Sequence, residues 1–170
     1  MRLRRIHAGD AVPLRELRLR ALQEASYAFA TTFAEASARP AEYWETWTRK
    51  PADEQVTIVA VDGERWVGMA SGWLSDQAPG RAWLAQLWVD PGVRRAGLGL
   101  RLIEAVAGWA RERGMVALEL SVTSNNPAAA AFYARAGFVE TGRRRPLPSD
   151  PSRTEVFLSR ELSPATPRGR

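Results

Sequence analysis

The sequence has no cysteine, one histidine (His7) and one lysine (Lys50) among 170 residues. Without cysteine there are no disulfides, no thiolate metal sites and no thiol nucleophile. A lone histidine makes neither a histidine metal cluster nor a Ser-His-Asp triad, so no metal is expected. No run approaches the roughly 18 apolar residues of a membrane span. The start, MRLRRIHAGD, is basic but lacks the apolar segment of a secretory signal. These absences predict a cytoplasmic protein with no membrane partner. The net charge is +5 and almost all of the positive charge is arginine. A basic chain can bind nucleic acid. Here the arginines are scattered, apart from Arg143-Arg144-Arg145, and no nucleic-acid partner is expected.

In chain order, Leu3 to Ile6 reads as a short strand. A helix runs from an Asp10 N-cap to about Glu24, with Leu14, Leu17, Ala21 and Leu22 inward. Residues 25 to 38 are apolar but poorly periodic, and a second short helix spans Pro40 to Lys50. Gln55 to Val61 is a strand, Asp62-Gly63 signals a hairpin, and Arg65 to Leu74 returns, with bulges expected at Gly68 and Gly72. Ser75 to Gly80 is a loop. Ala82 to Val89 is an apolar strand, and a helix ends at Arg113-Gly114. Met115 to Val122 is a strand, Ala128 to Ala136 a helix, and Phe138 to Thr141 a strand. The segment RRRPLPSDPSR reads as a loop before a last strand, Glu155 to Glu161. One domain over residues 1–162 is expected, with 163–170 a disordered tail. The alternation predicts a mixed α/β or α+β sheet with helices on its faces.

The most informative stretch is residues 82 to 113. After the strand, Asp90-Pro91-Gly92 breaks the pattern, and Arg94-Arg95-Ala96-Gly97-Leu98-Gly99 leads into a helix. Leu98, Leu102, Ile103, Val106, Trp109 and Ala110 share one face of that helix. The first amides of a helix have no internal partner and carry partial positive charge, so this corner suits a pyrophosphate. Gly97 and Gly99 let the backbone come close, and Arg94 and Arg95 add charged donors. The loop is no Walker motif, because Gly-Lys-Ser/Thr is missing. It is no dinucleotide fingerprint either, because Leu102 stands at the third glycine.

Further on come Asn126-x-x-Ala129-x-x-x-Tyr133 and Gly137-Phe138. Together with Arg94-x-x-Gly97-x-Gly99 after a strand, this arrangement resembles the GNAT superfamily of acetyl-CoA-dependent N-acetyltransferases, well over residues 55–160 and loosely before. The resemblance implies a central mixed, mostly antiparallel sheet of about six to seven strands flanked by about four helices. Two strands, Ala82 to Val89 and Met115 to Val122, would splay to form the CoA cleft. It implies acetyl-CoA as co-substrate, held along Leu87, Trp88 and Val89. The pyrophosphate would sit on Arg94, Arg95, Ala96, Gly97, Leu98 and Gly99. Asn126 would lie near the cofactor arm, and Tyr133 would protonate the departing thiolate.

The chemistry asks for two proton transfers. A primary amine has a pKa near 10.4, so holding it neutral at pH 7 costs about 5 kcal/mol and calls for a base. A tyrosine near 10 suits the acid role. Where family members place a glutamate, this chain carries Trp83 and Ser121. The base stays unassigned, with Glu119 a weak candidate beside Glu35 and Glu24. Tyr27, Phe29, Phe33, Tyr43, Trp44 and Trp47 either wall an acceptor pocket or pack the helical layer, and packing is favoured. The expected partner is a small-molecule primary amine acetylated in a ternary complex. The alternatives are a protein N-terminus or lysine, and a non-catalytic CoA-binding module. A homodimer is compatible with the resemblance.

Overall fold

A computed structural model describes residues 1–76, 78–94, 96–148 and 150–163. Seven strands form one sheet: β1 (Arg2–Arg5), β2 (Gln55–Asp62), β3 (Arg65–Leu74), β4 (Arg81–Val89), β5 (Ala117–Thr123), β6 (Val139–Leu147) and β7 (Asp150–Glu161). Five helices accompany them among the described residues: α1 (Ala11–Glu24), α2 (Phe33–Ser37), α3 (Ala41–Thr48), α4 (Leu98–Arg111) and α5 (Pro127–Arg135). The strand order is β1-β2-β3-β4-β5-β7-β6, and every neighbouring pair is antiparallel except β4 with β5. A parallel pair needs a crossover, and α4 supplies it.

The sheet is buried on both faces. On one, Leu98, Leu102, Ile103, Val106 and Ala110 of α4 meet Ile58, Ala70, Leu84, Leu118 and Leu120. On the other, Leu14, Leu17 and Ala21 of α1 and Trp44 and Trp47 of α3 meet Val59, Met69 and Trp88. Packing therefore accounts for Trp44 and Trp47, as the sequence suggested, while Phe33 and Tyr43 are exposed. The core helix ends in a Schellman-type turn, with the Met115 amide on the Ala110 carbonyl and Gly114 at φ +71°.

Three local expectations are revised. Asp10 precedes α1 but makes no side-chain cap; its carboxylate turns back to Arg4 at 2.7 Å and to the His7 amide at 2.8 Å. Gly68 adjoins a β2–β3 bulge, facing Ala60 while Val61 faces Trp66, whereas Gly72 lies in regular pairing, and both glycines also serve close packing. A Cβ at Gly72 would lie 2.5 Å from Val106 Cγ1, and one at Gly68 3.2 Å from Leu102 Cδ1. Helix α4 can approach the sheet only because both side chains are absent. The supposed loop RRRPLPSDPSR lies largely in the β6–β7 hairpin. It reads as a loop because of its prolines and charges, but β6 is an edge strand, where Pro146 needs no ladder donor. Its arginines are carried by Phe157: Arg143 lies 4.2 Å and Arg145 5.2 Å from the ring centroid.

Candidate active site

Strands β4 and β5 pair only at Arg81–Ala117, Ala82–Leu118 and Trp83–Glu119. Beyond Trp83 they part. The cause lies on the other edge of β4, where Ala85 faces Ser71 and Trp88 faces Met69, so that Gln86 and Leu87 bulge opposite Ala70. Gln86 takes φ +57°, a left-handed conformation uncommon for a residue with a Cβ. The bulge bends β4 away from β5. A cavity of about 840 Å³ fills the opening.

One mouth of the cavity is the start of α4. Gly97 is at φ +71°, and the first helical bond runs from the Arg101 amide to the Gly97 carbonyl. The amides of Leu98, Gly99 and Leu100 therefore lack helical acceptors. Arg94, Gly97, Leu98 and Gly99 line the cavity, with Leu87, Trp88 and Val89 along the strand before them. A Cβ on Gly99 would come within 3.0 Å of the Phe132 ring. Ala96 is exposed, and Arg95 lies outside the described residues. Arg94 is already engaged: its guanidinium donates to Glu24 at 2.6 Å and to the Val89 carbonyl at 2.9 Å. Burial pushes the Glu24 carboxyl up, but hydrogen bonds from Arg94 and Trp88 outweigh it and hold the group below its ordinary range.

Helix α5 closes this side. Asn126 caps it, accepting from the Ala129 amide at 3.1 Å, and Pro127 opens its first turn. Asn126, Phe132 and Tyr133 all line the cavity. Tyr133 packs edge-on against Phe132 and Phe138, with centroids 5.3 and 5.8 Å away. Burial pushes its phenol up to about 12. It therefore sits higher than the value near 10 expected from the sequence, and stays protonated across the physiological range.

The opposite mouth faces α1 and the β6–β7 hairpin. Alternation puts Glu119, Ser121 and Thr123 of β5 on this face. Glu119, the weak base candidate, is buried against Arg81 in an ion pair and does not line the cavity. Glu35 closes a capping box with Thr32 at the start of α2. Of the carboxylates on this side the cavity reaches Glu155, which the sequence marked only as the start of a strand. Glu155 accepts from Ser121 Oγ at 2.9 Å and from Arg145 Nε at 2.6 Å. The pairing of β7 with β5 brings Ser121 to Glu155 and its pairing with β6 brings Arg145, and nothing in the sequence fixes those registers. Arg18, Phe29, Trp73 and Trp83 complete the wall, while the side chain of Tyr27 lies outside the description. Arg18 is 4% exposed and stacks on Phe29, 4.4 Å from the ring centroid. Its Nη1 has no hydrogen-bond partner among the described residues, and burial brings its guanidinium down to about 10.

Among the described residues no cluster of histidine or carboxylate side chains is arranged for a metal, and no helix is long and apolar enough to cross a membrane. The sequence pattern of the acetyltransferase (GNAT) family matches residues 18–138. An L-2,4-diaminobutyric acid acetyltransferase of Nocardia farcinica is 37% identical over 79 residues, 46% of this chain and 40% of that protein, so the match spans less than half of the relative. A ribosomal protein bS18-alanine N-acetyltransferase of Escherichia coli K12 is 32% identical over 111 residues, covering 60% of this chain and 75% of the relative. The fold matches a GNAT-family acetyltransferase from Streptococcus pneumoniae with a TM-score of 0.76 at 22% identity, over 95% of this chain and 99% of that one. The parted strands, the amides at the head of α4 and the family pattern agree: the chain belongs to the GNAT acetyltransferase family.

Proposed function

We propose that this protein transfers the acetyl group of acetyl-CoA to a primary amine of a small molecule, by direct attack while both are bound. The observation that carries the reading is the gap between β4 and β5, open to the glycine loop on one side and to an acceptor pocket on the other. The residues present fit acetyl-CoA. The freed edge of β4 around Leu87–Val89 offers backbone groups to an extended arm, and the amides of Leu98 to Leu100 suit a pyrophosphate. Arg94 adds a charged donor from a side chain that Glu24 and Val89 already hold in place. Loading the site leaves Arg94 shared between Glu24 and phosphate.

When bound, acetyl-CoA supplies a thioester carbonyl and a thiol leaving group. Tyr133 faces the cavity from α5 as a protonated phenol and donates toward the leaving sulfur. A phenol near 12 is a weaker acid than the thiol it serves, so Tyr133 stabilises the charge developing on sulfur chiefly as a hydrogen-bond donor, and the thiolate leaves without needing to take the phenol's proton. A backbone N–H in the stretch Leu87–Val89 donates to the oxygen where charge develops. Across the cavity, Glu155 attracts the incoming ammonium and, through Ser121 or a water, takes its proton. Glu155 replaces Glu119 in this role because Glu119 is held by Arg81 away from the cavity.

Acetylation of a protein N-terminus is the second reading, favoured by the E. coli relative, whose name specifies a ribosomal-protein alanine. Thiol release from acetyl-CoA with a panel of small amines, run beside a panel of peptide N-termini, separates the two. Turnover confined to peptides reverses the order. No turnover with either, despite acetyl-CoA binding, removes both and leaves a CoA-binding module.

A further inference from the structure

A guanidinium without an anion is an unusual occupant of a protein interior. Charged groups removed from water are paired or hydrogen-bonded, because an isolated buried charge is strongly disfavoured. Fourteen ion pairs connect the basic and acidic groups of the described residues, and Arg18 is in none of them. Its neighbours on α1, Leu14, Leu17, Ala21 and Leu22, are fully buried core residues, so the same helical face that packs on the sheet delivers this charge to the cavity wall. The Phe29 ring lies against the guanidinium, with its centroid 4.4 Å away. Nη1 is buried and has no hydrogen-bond partner among the described residues, so a charged donor is left unsatisfied in a side chain that lines the cavity. Among the described residues Glu155 is the one carboxylate lining the cavity, and its hydrogen bonds run to Arg145 and Ser121, not to Arg18.

We infer that Arg18 is the receptor for an anionic group on the acceptor, and that the preferred substrates are amines carrying a carboxylate, of the amino-acid class. The inference rests on the small-molecule reading above and sharpens it. The acceptor pocket then has two poles: Glu155 draws the ammonium end toward the thioester, and Arg18 holds the carboxylate end. A dipolar acceptor satisfies both, whereas a polyamine brings a second cation against Arg18. A planar, bidentate carboxylate matches the fork of an arginine better than a point charge does.

The test uses the full-length protein and sets of amines matched in length, from two to six carbons. Within each set the far end carries a carboxylate, a carboxamide or a methyl group, and α-amino acids are included. Thiol release should show the carboxylate member of the best set turned over about 10- to 100-fold more efficiently than its amide, the range of a charge-assisted hydrogen bond. In Arg18→Met that ratio should fall toward one, and Arg18→Lys should keep part of it. A wild-type ratio near one overturns the inference and leaves acetyl transfer standing. If no amine is acetylated, the small-molecule reading fails, and thermal shifts measured with CoA present decide the anion site. A shift produced by the carboxylates alone and absent in Arg18→Met upholds it; no such shift in the wild type overturns it. A further readout is independent of ligand. Arg18→Met should melt higher than the wild type, because it removes a buried unpaired charge and keeps the length of the side chain; a lower melting temperature shows that Arg18 serves the core instead.

Discussion

Single residues carry the chemistry, and each can be tested alone. Tyr133→Phe removes one hydroxyl from an otherwise apolar cluster with Phe132 and Phe138. If the phenol serves the leaving sulfur, kcat should fall roughly 10²-fold with little change in KM for acetyl-CoA, measured by thiol release. Unchanged kcat removes the acid role. Glu155→Gln should lower kcat/KM for the amine by a similar factor, while Glu119→Gln should act on stability by leaving Arg81 unpaired. Equal kinetic losses in the two variants would contradict the assignment to Glu155. Far from the cavity, Asp10 is held below the ordinary carboxylate range: burial raises it, but the hydrogen bonds from Arg4 and the His7 amide prevail. A depressed carboxyl contributes stability above its unfolded value, near 4, and loses it as pH falls through the folded one. Arg4→Met should therefore flatten the fall in urea midpoint between about pH 5 and 2. At this scale motif spacing singled out Asn126 and Tyr133, and the structure puts both on the cavity wall. It was silent on Glu155 and Arg18, because their meaning comes from the partners they have or lack across the sheet.

At the scale of elements, the decisive piece is α4 and the way it is seated. Gly72 lets Val106 and Trp109 rest on β3, and an added methyl would meet Val106 Cγ1 at 2.5 Å. Gly72→Ala should cost about 1–3 kcal/mol, the range for overpacking a close contact, and lower the melting temperature accordingly. Gly97 is a different case. Nothing surrounds it, but its φ of +71° is unfavourable for alanine. Gly97→Ala should cost about 1–2 kcal/mol and weaken acetyl-CoA binding in calorimetry, since the amides it presents would shift. The strand, loop and helix from Arg81 to Arg111 were legible in the sequence because period and punctuation coincide there. The β6–β7 hairpin was not. An edge strand exposed at every position but Leu147 shows neither apolar alternation nor a clean run. Gly68 and Gly72 were visible as strand glycines, but their reason is a helix whose touching residues, Leu102 and Val106, lie 34 positions further along the chain.

For the whole molecule, the central fact is that its sheet is incomplete. Three residue pairs join the β1–β4 portion to the β5–β7 portion, and below them the strands stand apart. If acetyl-CoA lies in that gap, as proposed, it bonds to the folded form alone. At a free concentration 100 times its Kd it should add about 2.7 kcal/mol to unfolding, seen as a concentration-dependent rise in melting temperature. A melting temperature indifferent to the cofactor would mean that the gap is not where it binds. The likeness in fold to a GNAT protein with 22% identity shows how little of this architecture depends on particular side chains. The bulge at Gln86 and Leu87 also has a mechanical meaning. By withholding the rungs that would zip its two halves together, the protein leaves its own seam open; if acetyl-CoA closes it as proposed, stiffness and resistance to proteases should rise and fall with the supply of activated acetate.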